Sequence, residues 1–92
     1  MPTKLRLFTL PNCPKCPAAK KLVEQIAQRR NDVTVEILDM SKSENLSTAL
    51  MLQIASAPSF VIDEEVIDIY DFLNLEELNK LIDDHKHLKD LS

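Results

Sequence analysis

The sequence predicts one α/β domain built in the order strand, helix, strand, helix, strand, strand, helix. Three observations carry this expectation. Short apolar or β-branched runs occur at residues 4–10, 33–39, 59–62 and 66–70. Segments with apolar residues at helical spacing follow the first, second and fourth of them. Turn and cap residues separate the two kinds of segment.

The first strand, Lys4 to Leu10, is apolar at nearly every position, as expected of a central strand covered on both faces. The helix after it is expected from about Pro14 to Arg30, with Ala19, Leu22, Val23, Ile26 and Ala27 on its buried face. Arg29 and Arg30 suit the negative end of its dipole, and Asn31 suits a left-handed C-terminal position. Val33 to Asp39 is rich in β-branched residues, and Thr34 and Glu36 suggest an edge strand with a wetter face. Ser41-Lys42-Ser43-Glu44 has the spacing of a capping box, opening a helix that carries Leu46, Ala49, Leu50 and Gln53. Ala55-Ser56-Ala57-Pro58 breaks it. Ser59 to Ile62 is a short buried strand, Asp63 to Glu65 the turn, and Val66 to Tyr70 its hairpin partner, with Asp68 guarding the edge. The last helix has the clearest start: Asn74 as cap, Glu77 three residues on, and Leu73 with Leu78 as a hydrophobic staple. Leu75, Leu78, Leu81, Ile82 and His85 follow at helical intervals.

Ninety-two residues, 45% of them hydrophobic, fit one globular domain over residues 1–92, burying about 60–65% of its unfolded surface. No apolar signal core and no membrane-length segment is present, so a cytoplasmic, membrane-free monomer is expected. Charge is unevenly divided. Residues 1–30 hold seven basic side chains against the single acid Glu24; residues 31–92 hold four against fourteen acids. Such a basic rim selects an acidic partner or is simply solvated surface. Nucleic acid is excluded by the net charge of −4 and by the lack of aromatics among the basic residues. Glycine is absent, where about six would be average. Any backbone position with positive φ must therefore be filled by Asn, Asp or a strained residue.

Both cysteines lie in Asn12-Cys13-Pro14-Lys15-Cys16-Pro17, at the first strand-to-helix junction. This reading puts Cys13 near the helix N-cap and Pro14 at the first helical position. Unpaired N–H groups and roughly half a positive charge at a helix start favour a thiolate by ~0.3–2 kcal/mol, with the Lys15 ammonium close by. The thiolate is the nucleophile. Cys16, one turn in, is more shielded and placed to attack a mixed disulfide on Cys13. A structural disulfide gains little here, because a three-residue separation constrains the unfolded chain weakly. A zinc site would need more ligands than one cysteine pair, and His85 and His87 read as a solvated helix end. A metal or iron–sulfur cluster shared between two chains stays open as an alternative. So does an adaptor without turnover.

The element order, Cys13-Pro14-Lys15-Cys16 after the first strand and Ala57-Pro58 before the third together resemble the thioredoxin superfamily in its minimal, glutaredoxin-like form, over roughly residues 4–85. The resemblance implies a four-stranded mixed sheet in the order 2-1-3-4 with three helices, and a protein thiol–disulfide oxidoreductase. By the same resemblance Cys13 is the attacking cysteine and Cys16 the resolving one, together a redox-active disulfide. Pro58 is a cis-proline beside the dithiol, and the Ala57 backbone pairs with substrate, next to Pro14 and Lys15. No cofactor or metal is implied.

Two departures shape the expected partners. Many thioredoxins carry a buried acid six positions before the first cysteine, where this chain has Leu7. Glutaredoxins usually have a lysine shortly before C-P-x-C and a glycine-rich turn after the last strand, both used to hold glutathione. Leu10-Pro11-Asn12 and Asp71-Phe72-Leu73-Asn74 stand there instead, and Gln53 stands where relatives often end the second helix with glycine. Similar hybrid redoxins, glutaredoxin in form and thioredoxin in partners, occur in prokaryotes. Disulfide-containing proteins are thus the expected substrates. A thioredoxin-reductase-like flavoprotein is expected as donor in preference to glutathione, with a glutathione-dependent glutaredoxin as the alternative.

Overall fold

The computed structural model describes residues 3–54, 56–67 and 74–91, with side chains through residue 87. Its organising strand is β1 (Thr3–Thr9), in which Leu5, Leu7 and Phe8 have no solvent exposure. The helix α1 (Cys16–Arg29) follows, then β2 (Val33–Asp39), α2 (Ser43–Met51), β3 (Ser59–Ile62), β4 (Glu65–Ile67) and α3 (Leu75–Leu91). The order of elements is the predicted one.

The sheet order is β2-β1-β3-β4. β1 and β2 pair in parallel over their whole length, Thr3 with Val33 through Thr9 with Asp39. β3 runs antiparallel to both β1 and β4. Parallel neighbours need a crossover, and α1 supplies it. Leu5 and Leu7 pair with Ile62 and Phe60 and join Ala19, Val23, Ile26, Leu78 and Ile82 in the core between the sheet and α1 and α3. Phe8 and Val61 point the other way, into a smaller core with Met40, Ala49 and Ile54 beside α2.

Several expectations are corrected. Full coverage of both faces of β1 holds only near Phe8. The nine residues of α2 span about 14 Å against roughly 23 Å of strand, leaving Lys4 exposed and Arg6 half-buried. The Arg6 guanidinium uses its position, donating from NH2 to the Asp63 carbonyl at 2.8 Å. Ala27 is exposed, not part of the buried face of α1. Leu46 and Leu50 are 44% and 65% exposed, and Ala49 alone of that helix is buried. The capping box does not form either. The Ser41 N–H donates to Asp39 Oδ1 at 2.8 Å, the Asn45 amide donates to the Asp39 carbonyl at 3.0 Å, and Lys42 is the N-cap without a side-chain bond. The Asp39 side chain thus takes the local donor two residues on, as aspartates in turns do. On α3 the predicted cap is made: the Glu77 N–H donates to Asn74 Oδ1 at 2.8 Å. The proposed staple residue Leu73, Asp68 and the strand beyond Ile67 lie outside the described residues.

His85 is not a solvated helix end. It is 18% exposed, with Nε2 3.0 Å from Asp63 Oδ2 and Nδ1 3.0 Å from Glu65 Oε2, so it ties α3 to the β3–β4 turn. Asn31 does not take a left-handed conformation; Arg30 is the C-cap and is extended. Its guanidinium, instead of serving the helix dipole alone, grips Asp32 with Nε and NH2 at 3.0 and 2.8 Å and pairs with Asp83 on α3 at 2.8 Å. Lys86 adds a further contact to Asp32 at 3.0 Å. The hydrogen bonds from Arg30 and then Lys86 hold the Asp32 carboxyl well below the usual carboxylate range. No helix among the described residues is long and apolar enough to cross a membrane.

Without glycine, the described residues with positive φ are Gln53 at 62° and Asp63 at 57°. Gln53 closes α2. The Gln53 N–H donates to the Leu50 carbonyl at 3.1 Å and the Ile54 N–H to the Ala49 carbonyl at 2.9 Å, while Ile54 packs in the core cluster that holds Ala49. That is the Schellman arrangement, with glutamine where glycine is usual.

Two outcomes are expected. Gln53→Gly removes a left-handed Cβ penalty of about 1–2 kcal/mol but loosens the unfolded chain by roughly 0.4–1 kcal/mol. Net stabilisation, read as a raised denaturant midpoint, checks it. Asp32→Asn lowers thermal stability near neutral pH. Because the folded carboxyl titrates lower than the unfolded one, its contribution is present above about pH 4 and fades as acid protonates it. The gap between wild type and variant should therefore close below about pH 4 in a series of melts at decreasing pH.

Candidate active site

β1 delivers the site. Its pairing with β2 continues one step past the strand, where the Met40 N–H donates to the Thr9 carbonyl at 2.8 Å. Thr9 itself is buried, with its hydroxyl 3.4 Å from the Leu38 carbonyl. Beyond it Leu10 to Cys13 form a turn, closed by the Cys13 N–H on the Leu10 carbonyl at 3.3 Å. Pro11 and Asn12 are the kind of residues such a turn favours.

Cys13 and Cys16 are joined in a disulfide with their Cα atoms 5.3 Å apart, inside the range a bridge requires. The two sulfurs are not equivalent. Cys13 is half-buried before the helix, whereas Cys16 is 3% exposed as its first residue. Pro14 and Lys15, between them, are exposed.

The helix starts later than the sequence suggests: Lys15 is the N-cap, and Pro14 is not the first helical residue. Pro17 is the reason. A helix capped by Cys13 would close its first turn with an N–H of residue 17 on the Cys13 carbonyl, and proline has none. The first closure is instead the Ala19 N–H on the Lys15 carbonyl at 3.2 Å. Cys13 therefore stands two residues outside the cap and meets the helix end through its bond to Cys16. The signal was present in the sequence as a second proline three residues after the first.

The other predicted residues arrive from β3. The Ala57–Pro58 bond is cis, and both residues are half-buried. The register Phe8 with Ser59 puts this loop at the end of the sheet where β1 runs into the disulfide. Ser59, which the sequence reading treated only as strand, is buried, and its hydroxyl hydrogen-bonds the Ser56 carbonyl across the cis bond. Cys13, Cys16, Pro14, Lys15, Ala57 and Pro58 thus share one end of the sheet. The position of the missing strand acid, Leu7, is fully buried among apolar side chains. Asp39 ends β2 at the same end, its carboxyl lowered first by hydrogen bonding to Ser41 and further by Lys42 and Lys20. Among the described residues no group of three or more His, Cys, Asp or Glu is arranged to hold a metal ion.

A disulfide of one half-buried and one buried cysteine at a strand-to-helix junction, at the same end of the sheet as a cis-proline loop, defines a dithiol–disulfide redox protein. Comparison with known proteins agrees. A family model described as a thioredoxin domain matches residues 3–83. The chain is 41% identical over 63 residues to a thioredoxin of Methanocaldococcus jannaschii, covering 68% of this chain and 73% of the relative. It is 33% identical over 63 residues to a probable thioredoxin of Archaeoglobus fulgidus, covering 68% of each. In fold it is similar to a mutant thioredoxin from Halobacterium salinarum, with a TM-score of 0.73 at 24% identity over 89% of this chain and 73% of the other. Chloroplastic thioredoxin z gives 0.75 at 22% identity over 94% and 80%. The chain belongs to the thioredoxin family and is a thiol–disulfide oxidoreductase.

Proposed function

We propose that the protein reduces disulfides in partner proteins, in the reducing cytosol, with Cys13 as attacking and Cys16 as resolving cysteine. The observation that carries the assignment is the difference in access: Cys13 is half-buried, Cys16 almost wholly buried. In the reduced protein the Cys13 thiolate attacks one sulfur of the partner disulfide. That sulfur forms a mixed disulfide with Cys13, and the other leaves as a thiolate and takes up a proton. Cys16 then loses its proton and attacks the Cys13 sulfur, releasing the second partner thiol. Two electrons pass to the partner and the Cys13–Cys16 disulfide forms. Pro14, Lys15, Ala57 and Pro58 line the approach, and the Ala57 backbone supports an extended partner segment. No prosthetic group enters these steps.

The same reading assigns the electron donor. Holding glutathione takes a cation for its carboxylate and close backbone approach. Leu10, 41% exposed, presents an apolar side chain on the turn that hydrogen-bonds Cys13, where a glutaredoxin has its lysine. We assign re-reduction to a thioredoxin-reductase-like flavoprotein that docks over Cys13, with the chain acting as a single-domain monomer.

Two measurements test this. Cys16→Ser, incubated with a disulfide protein such as insulin, should accumulate a covalent adduct, and Cys13→Ser should accumulate none; the reverse would exchange the roles. Oxidised protein should be reduced at least about tenfold faster by a thioredoxin reductase than by glutathione with its reductase. Fast, saturable reduction only by glutathione would make it a glutaredoxin.

A further inference from the structure

α1 is polarised across its axis as well as along it. Ala19, Val23 and Ile26 face the core, while Pro17, Ala18, Lys20, Lys21 and Glu24 line a shallow open concavity of about 600 Å³ on its outer surface. The first residue lining it, Pro17, follows Cys16 directly in the chain. Lys15, between the cysteines, is exposed, and Lys20 and Lys21 lie four and five residues beyond Cys16.

Several other cations are engaged within the fold. Arg30 and Lys86 are held by Asp32, Lys4 pairs with Glu36, and His85 stands between Asp63 and Glu65. Among the described residues none of the ion pairs within 4 Å uses Lys15, Lys20 or Lys21. Two carboxylates do oppose them: Glu24 lines the same concavity, and Lys20 acts on Asp39 from a distance. The balance remains positive, three ammonium groups against two carboxylates. One of those carboxylates, Asp39, is already engaged by the Ser41 N–H.

We propose that this outer face of α1 is a docking surface for a protein segment bearing acidic residues beside its disulfide. The inference rests on the redox reading and adds the partner's chemistry to it. Three ammonium groups that enter no ion pair among the described residues, set against two carboxylates, leave this face locally positive, while the chain as a whole is acidic at −4. The long-range field therefore repels polyanions in general, and only a segment whose charge is local to the disulfide gains from this surface. A nucleic-acid strand fits worse, because none of the described residues lining the patch is an aromatic on which bases could stack.

The test uses three synthetic peptides with one intramolecular disulfide, flanked by glutamates, glutamines or lysines, and fully reduced protein in single-turnover mixing. Hydroxyethyl disulfide, small and neutral, reports the underlying thiol chemistry. At low salt the glutamate peptide should react at least about tenfold faster than the glutamine peptide, and the lysine peptide more slowly. The preference should collapse to about twofold or less at tenfold higher salt. In Lys20→Glu/Lys21→Glu it should reverse, with the hydroxyethyl disulfide rate unchanged. Equal rates for all three peptides with hydroxyethyl disulfide still reduced, or a preference that survives the double substitution, would overturn the docking surface alone. Loss of every reaction would overturn the redox reading instead. A single-stranded oligonucleotide of matched charge serves as competitor. If it blocks the glutamate peptide more strongly than a disulfide-free glutamate peptide does, the surface is a nucleic-acid site and the proposal fails.

Discussion

Everything in this fold hangs on the pairing of β1 on both of its edges. Parallel pairing with β2 and antiparallel pairing with β3 fix the strand's register from either side, and a slip of one residue would turn Leu5, Leu7 and Phe8 to the wrong faces. The same register sets the chemistry. β1 carries its C-terminal end to the turn before Cys13, and β3 begins beside it, immediately after Pro58. The disulfide and the cis-proline loop come from segments more than forty residues apart in sequence, yet they reach one end of the sheet because Phe8 and Ser59 are partners.

Proline sets the details at that end. With no glycine to shape the backbone, the site uses Pro11, Pro14, Pro17 and Pro58, each of which restricts φ and withholds a donor. Pro17 denies the Cys13 carbonyl its helical partner and pushes the helix start back to Cys16. That offset separates the two sulfurs by environment, one before the helix and open, one inside its first turn and closed. A pair in which one thiol is reachable and the other is held in reserve can form a mixed disulfide and then release it, which two equally exposed thiols would not do in a defined order.

The far end of the sheet is organised by charge instead. Asp32 receives Arg30 and Lys86, and Arg30 also reaches Asp83, so α1, the start of β2 and α3 are clasped at one point. His85 with Asp63 and Glu65 makes a second clasp between α3 and the β3–β4 turn. The cations that neutralise the acidic half of the chain are spent there. Lys15, Lys20 and Lys21 enter no such ion pair among the described residues, so part of the basic character of residues 1–30 survives folding on the outer face of α1.

Much of this was legible in sequence, for physical reasons that differ by element. The strand of Val33 to Asp39 and that of Ser59 to Ile62 were found to the residue, because β-branched runs bounded by turn residues have few other readings. Asn74 announced its helix because its cap needs only residues 74 to 77. The cysteine spacing and Ala57-Pro58 marked the site through the resemblance they carry. What misled was local chemistry with two outlets: Ser41 had the spacing of a cap, but Asp39 two residues earlier captured its N–H. Leu46 and Leu50 had core spacing on a helix too short and too far out to bury them. The greater shielding of Cys16 was legible from its place one turn into the helix, whereas the tertiary structure alone decided that His85 joins two carboxylates rather than water and that Arg30 clasps Asp32 and Asp83. Both clasps depend on atoms brought together from distant parts of the chain, and the spacing of residues along a sequence carries no record of them.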